Sequence, residues 1–252
     1  MGEYVPHAIV WTRERASRLW AYYGSQPGHE GLYFTAHSGG SVLRFVREHV
    51  PLDGRLVLDF GCGRGSLLKR LVAQGVACQG LEFSAASARE AEANVGAHPL
   101  FRGVVVTDTL PSSLAAASVD VVLLVEVIEH LLPDDIQPTL AEIRRVLRPG
   151  GHVVVTTPHD EDLSASMLHC PDCGSTFHRW QHVRSFQPAG LAALMKGAGF
   201  EEQVCTPLTF TMDTRRKAGI VRGLLAAYLR LRHGPPRPPH LAFVGRRPAS
   251  SS

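Results

Sequence analysis

The sequence predicts an α/β fold, a doubly wound and mostly parallel sheet, and two observations carry that prediction. From about residue 55 onward, short β-branched runs alternate with stretches whose apolar residues recur at helical spacing. Within the short runs the apolar residues follow one another without alternation, as in strands buried on both faces. Strand and helix in this order imply right-handed crossovers and helices on both sides of a parallel sheet. Ligands of such a sheet bind beyond the carboxyl ends of its strands.

Five runs read as strands: RLVLDF (55–60), VACQGLEF (76–83), GVVVTD (103–108), VDVVLLVE (119–126) and GHVVVTTP (151–158). Between them GSLLKRLVAQG, SAASAREAEANV and PDDIQPTLAEIRRVLRPGG read as helices, the last stopped by Pro149, Gly150 and Gly151. A further helix is expected near SVLRFVREHV, preceded by the aromatic, turn-rich stretch WAYYGSQPGHEGLYFTAHSGGS. The chain divides into an N-terminal helical and aromatic segment (1–50) and one α/β domain (51–252). That domain carries a Cys/His insertion at 159–186 and, at 208–239, an inserted basic helix with a proline-rich connector.

A chain of 252 residues with 44% hydrophobic and 19% charged content suits one well-cored domain with appendages. The N-terminal stretch lacks the pattern of a secretory signal, and no run is apolar enough to span a bilayer, so a cytoplasmic protein is expected. In a reducing compartment its five cysteines are expected to be thiols or metal ligands. Cys62, Cys78 and Cys205 stand alone and read as core or lining residues. A net charge of +3 is too weak to argue for nucleic acid, and the arginines from Arg215 to Arg247 read as a solvated helix face and a basic loop.

The first strand runs into DFGCGRGS (59–66), whose glycines 61, 63 and 65 allow a sharp turn and close approach to a ligand. A dinucleotide fingerprint would place its third glycine where this chain has Ser66, and would not set a carboxylate before a pyrophosphate. Asp59 is such a carboxylate. It repels phosphate and attracts a cationic amino group, which points to a nucleoside ligand carrying positive charge. Glu82 ends the second strand, where an acid accepts hydrogen bonds from ribose hydroxyls, and Asp108 ends the third, within reach of an adenine amino group.

VLDFGCGRGSLL, GLEFS, VVLLVEVIEHL and VLRPGGHVVVTTP resemble the successive motifs of class I S-adenosylmethionine-dependent methyltransferases, over roughly residues 40–205. The resemblance implies a Rossmann-like, seven-stranded sheet, with GFEEQVCTPL and HLAFVGRRP supplying a final antiparallel pair. It also implies that Asp59, Gly61 and Gly63 bind the methionine moiety of S-adenosylmethionine, Glu82 the ribose and Asp108 the adenine region. Glu126 would border the sulfonium. Segments such as the N-terminal one often cover the cofactor in this family, which makes Tyr33 and Phe34 candidates for a lid.

In EVIEH, the residues Glu126, Glu129 and His130 fall at i, i+3 and i+4 and share one face of a helical turn. Two carboxylates and an imidazole beside the sulfonium suit a divalent cation or a general base; the alternative is a helix start favoured by the dipole. The pattern resembles metal-assisted ribose methyltransferases of small-RNA 3′ ends and also ubiquinone-pathway O-methyltransferases. In the RNA enzymes a further histidine follows the fifth strand, a place His182 would take here.

MLHCPDCGSTFHRWQHVRSF (167–186) sets Cys170 and Cys173 in a C-x-x-C turn, followed by His178 and His182. Thiolate and imidazole at this spacing favour zinc, set against two unligated thiols or a redox dithiol. A second arrangement gives one of these histidines to the active site, with the fourth metal ligand then His169 or a residue from elsewhere in the chain. The zinc is expected to hold a substrate-facing loop, and a second divalent cation is possible at the acid pair. The function expected is O-methylation of a small-molecule acceptor: a sugar, glycan precursor or secondary metabolite. RNA 2′-O-methylation and a non-catalytic cofactor- or zinc-binding scaffold are the alternatives.

Overall fold

The computed structural model of the protein describes residues 4–26, 28–213 and 237–249. Most of the basic insertion expected at 208–239 lies outside the described residues. In chain order the elements are β1 (His7–Ala8), α1 (Arg13–Ser25), α2 (Phe34–His49), β2 (Leu56–Phe60), α3 (Ser66–Ala73), β3 (Ala77–Glu82) and α4 (Ala85–Val95). There follow β4 (Phe101–Val106), β5 (Val119–Val125), α5 (Pro133–Val146), β6 (Leu147–Pro158), β7 (Met167–His169) and β8 (Ser175–His178). The described chain ends with α6 (Pro188–Gly197), β9 (Glu201–Leu208) and β10 (His240–Arg246).

The main sheet has seven strands in the order β4-β3-β2-β5-β6-β10-β9. All neighbours pair in parallel except β10, which runs antiparallel to both β6 and β9. The fold is thus the mostly parallel, doubly wound sheet expected. Every residue of β2 is buried, and β5 is buried except at Asp120, which explains why their apolar residues run on without alternation. One core layer lies between the sheet and α2 and α3, built on Val42, Val46, Leu67 and Leu71; the other joins the sheet to α5 and α6 through Leu140, Ile143, Leu191 and Met195. Among the described residues no helix is long and apolar enough to cross a membrane.

Local chemistry sets the helix ends. Ser84 caps α4 by accepting from the Ser87 N–H at 3.2 Å. Helix α5 opens with Pro133, carries Asp134 and Asp135 in its first turn and Arg144 and Arg145 in its last, which matches its dipole at both ends. Outside the main sheet, β1, β8 and β7 form a small three-stranded sheet in that order, with β1 parallel and β7 antiparallel to β8. The Cys/His insertion is therefore a hairpin that receives the N-terminal strand.

Gly65 shows how tightly the loop after β2 is built in. Its φ is +78°, and a Cβ there would meet the Cα and Cβ of Ala91 in α4, both at 3.0 Å. Gly75 has a similar φ of +75° with nothing within 4 Å of an added Cβ. Gly75→Ala is expected to destabilise by about 1 kcal/mol, the left-handed penalty alone. Gly65→Ala adds a backbone clash and should reach about 3 kcal/mol, a fall in thermal midpoint of roughly 6–12 °C against 2–4 °C. Equal melting shifts for the two variants would mean that α4 does not press on this loop.

Candidate active site

A cavity of about 950 Å³ opens beyond the carboxyl ends of β2, β3 and β5. It sits at the point where the strand order reverses between β2 and β5, the crevice no crossover covers. Asp59, Gly61, Gly63, Glu82, Asp108 and Glu126 all line it. The loop after β2 is held by the N–H groups of Gly61 and Cys62, which donate to the Leu81 carbonyl at 2.8 and 3.2 Å. Glu82 completes the hold: its carboxylate accepts from the Gly63 N–H at 2.8 Å and from the Phe83 and Ser84 N–H groups, each at 2.9 Å. Burial raises the Glu82 pKa even so. Asp59 is 3% exposed, and burial together with the Glu82 charge pushes its pKa to about 7. Asp108 is exposed on the cavity wall.

The EVIEH segment corrects one expectation. Residues 126–130 form a turn and not a helix, because Glu126 has φ +53° and α5 starts only at Pro133. The three side chains therefore do not share a helical face. Glu126 turns toward β6 and β10, where its carboxylate accepts from Thr156 Oγ1 at 2.9 Å and stands 3.8 Å from His240 Nδ1. Glu129 is 1% exposed; Oε2 accepts from Thr157 Oγ1 at 3.0 Å, whereas Oε1 has no hydrogen-bond partner. Burial and the Glu126 charge hold the Glu129 pKa well above the usual carboxylate range. His130 Nε2 lies 3.9 Å from Glu129 Oε1, and His130 Nδ1 has no partner. Burial, then the neighbouring His182, push the His130 pKa down to about 3.

His182 reaches this pair as the sequence suggested, with its ring 4.9 Å from that of His130. Glu129, His130 and His182 offer ligand atoms that all lie within 4.8 Å of one another. Glu161, His178 and His182 form a second such trio. Neither trio contains Cys170, Cys173 or His169, so the expected four-ligand zinc set is not assembled. The physical reason is the hairpin. Cys170 and Cys173 sit at its exposed tip, where the Cys173 thiol donates to Ser175 Oγ at 3.2 Å, while His178 and His182 turn inward to Glu161. His169 pairs with the Tyr4 hydroxyl.

The N-terminal segment covers the cavity. Trp20 of α1 donates its indole N–H to Gln181 Oε1 at 2.8 Å, and its ring meets the His130 ring edge-on at 4.8 Å. Gln181 in turn donates to the His130 carbonyl at 2.7 Å. Tyr33 packs over the glycine loop, its ring 3.2 Å from where a Gly63 Cβ would stand. Phe34 lines the cavity but packs mainly against Phe210 and His240, with ring centroids 5.9 and 4.8 Å away. No motif marks Glu161, Gln181 or His240, and Trp20 stands out only as part of the aromatic N-terminal stretch. Thr156 and Thr157 carried a signal as two hydroxyls ending an otherwise apolar strand.

A crevice at the strand-order reversal, a glycine loop and acids at successive strand ends make up a Rossmann-like nucleoside-binding site. Residues 39–203 match the model of a family described as a methyltransferase domain. A ubiquinone biosynthesis O-methyltransferase of Ralstonia nicotianae is 34% identical over 186 residues, 70% of this chain and 75% of that protein. A probable S-adenosylmethionine-dependent methyltransferase of Mycolicibacterium smegmatis is 32% identical over 232 residues, 91% of this chain and 76% of that one. Among solved structures, 1,6-didemethyltoxoflavin-N1-methyltransferase of Burkholderia thailandensis, with 1,6-didemethyltoxoflavin and S-adenosylhomocysteine bound, has the same fold. Its TM-score is 0.61 at 18% identity, covering 96% of this chain and 93% of that one. The chain belongs to the S-adenosylmethionine-dependent methyltransferases.

The Asp59 pKa gives a pH test of this cavity. Because the folded value of about 7 lies above the ordinary 3.8, the unliganded protein loses stability at this residue as pH rises between the two. A cationic amino group binding there favours the carboxylate, so affinity should weaken as pH falls below 7. Calorimetry with S-adenosylhomocysteine is expected to show up to about a tenfold loss per pH unit between 7 and 5.5, with Asp59→Asn weaker and flat. An unchanged wild-type affinity over that range would separate Asp59 from the ligand's charge.

Proposed function

We propose that the protein moves the methyl group of S-adenosylmethionine to a hydroxyl of a small, ring-bearing acceptor. The observation that carries this reading is the Glu129 carboxyl, buried with one oxygen unpartnered, beside two histidines on the cavity wall. A carboxylate without counter-charge is costly to bury, and here its neighbours include a second acid, Glu126, and His130, whose depressed pKa keeps its imidazole neutral. Such a set fits a divalent cation, which would restore the Glu129 charge and favour the ionised acceptor hydroxyl. Glu129, His130 and His182 would hold it. Glu126, bonded to Thr156, shapes the wall next to them.

On the donor side, Asp59, Gly61 and Gly63 take the methionine portion, Glu82 the ribose hydroxyls and Asp108 the adenine edge. Bound S-adenosylmethionine supplies an electrophilic methyl group on a sulfonium. The chain's own contribution is to align the acceptor oxygen and exclude water with the α1 cover; with no cation held there, the free ring nitrogen of His182 would receive the hydroxyl proton, the depressed His130 being the weaker base. The linked rings of Trp20, Tyr23 and Trp180 over the cavity suit a flat acceptor better than a polymer end. The O-methyltransferase relatives in ubiquinone biosynthesis point the same way. A cytoplasmic setting belongs to this reading, with Cys170 and Cys173 kept as thiols.

Release of S-adenosylhomocysteine with hydroxylated aromatic rings, sugars and RNA 3′ ends, compared side by side, tests the acceptor class. Turnover on the rings alone is the expected result, and turnover on RNA alone would replace this reading with ribose methylation. On the true acceptor, Glu129→Gln and His130→Ala should each lower kcat by about a hundredfold or more, leaving S-adenosylhomocysteine affinity near wild type. Chelated enzyme should recover with magnesium or manganese. Full activity in both variants would remove the trio from the chemistry.

A further inference from the structure

We infer that Glu161 is a positioning residue that fixes the tautomer of His182, and that His178 serves to hold Glu161 and not a metal. The inference rests on the reading of His182 as an active-site group, and it starts from the ring nitrogens. A neutral imidazole has one nitrogen that donates and one that accepts. The backbone N–H groups of His182 and Trp180 both donate to His178 Nδ1, at 3.1 and 3.4 Å. That nitrogen is therefore the acceptor, and the hydrogen sits on Nε2. His178 is 3% exposed, and its Nε2 has no hydrogen-bond partner while standing 3.6 Å from Glu161 Oε1. A shift of about half an ångström closes this to a hydrogen bond.

The other oxygen of the same carboxylate faces His182, with Glu161 Oε2 2.6 Å from His182 Nδ1. A carboxylate accepts only, so His182 Nδ1 donates, and its lone pair is left on Nε2. His182 lines the cavity, and its ring stacks on His178 at 4.5 Å with an interplanar angle of 23°. The result is a chain from His178 through Glu161 to His182, in which the last lone pair is the one offered to the acceptor or its cation. Carboxylates behind histidines set ring orientation and basicity in this way. Glu161, His178 and His182 are also close enough to hold an ion. For that, His178 Nε2 would have to surrender its hydrogen, or Nδ1 its two backbone donors, and neither is offered an exchange.

The test reads the rings directly, in metal-free protein labelled with 15N-histidine, by long-range proton–nitrogen correlation. In wild type, His182 should carry hydrogen on Nδ1 and His178 on Nε2. Glu161→Ala should release His182 to mixed tautomers and lower kcat by about 10- to 100-fold, with S-adenosylhomocysteine affinity within about twofold as the check on folding. Glu161→Gln keeps one acceptor oxygen and should restore part of both. An Nε2–H form of His182 in wild type, an unchanged tautomer in Glu161→Ala, or unchanged kcat in that variant would each overturn the inference. A protein inactive on every hydroxyl acceptor would instead defeat the reaction class, since the nitrogen spectra do not depend on turnover.

Discussion

Three consecutive carbonyls after β5 are each taken by a donor from one short stretch of the insertion. The Val183 N–H donates to the Glu129 carbonyl at 3.0 Å, the Gln181 side chain to that of His130 at 2.7 Å, and Arg184 to that of Leu131 at 2.5 Å. These bonds replace intrahelical ones that the segment lacks, because Pro133 has no N–H to offer the Glu129 carbonyl and Leu132 is extended, so that α5 begins only after it. At about 1 kcal/mol each they stabilise a segment with no secondary structure of its own. They also decide which groups meet. With residues 181–184 fixed on the turn, His182 is set beside His130, and Glu161 and His178 follow from the same insertion.

That clamp explains how a buried acid is tolerated. Glu129 loses its water and gains only one hydroxyl donor, from Thr157. Its raised pKa and the depressed value of His130 share their largest cause, burial, which disfavours the charged form of each. In the unliganded protein this favours a neutral cluster, with a protonated carboxyl and uncharged imidazole. Natural cores remove such arrangements unless function retains them. The stability spent here is recovered in the clamp and in two apolar layers that need nothing from the site.

The sheet was legible because its signals are local. VLDF and VVLLV are continuous apolar runs, and strands β2 and β5 are buried on both faces. The acids along the crevice were legible for a related reason: strand ends in this fold point to one crevice, so that Asp59, Glu82 and Asp108 line it once their strands are placed. The wall built by residues 126–130 and the insertion was read less well. EVIEH has helical spacing, yet Pro133 starts α5 late and Glu126 breaks the phase, facts of backbone conformation that spacing does not reveal. His178 and His182 were grouped with the cysteines by proximity in sequence. A hairpin separates tip from base, and the histidines went to Glu161, which no motif marks.

The same hairpin explains the glycine of CPDCG without a metal. Gly174 has φ +77°, and a Cβ there would lie 2.6 Å from the Val5 carbonyl oxygen, so the residue is small because β1 crosses it. The His7 and Ile9 N–H groups then bond to the Gly174 and Thr176 carbonyls at 3.0 and 2.9 Å. From that anchor α1 runs back over the cavity to Trp20 and its bond with buried Gln181. Along α5 the cover is held by Arg13 and Asp135, with Arg13 Nε donating at 2.7 Å, but the Arg13 side chain is 67% exposed. An exposed pair of this kind contributes about 0–1 kcal/mol, less than a backbone ladder joined to a part-buried indole bond. The edge of the cover along α5 is therefore held less firmly than its edge against the insertion, which joins the backbone ladder of β1 and β8 to the Trp20–Gln181 bond.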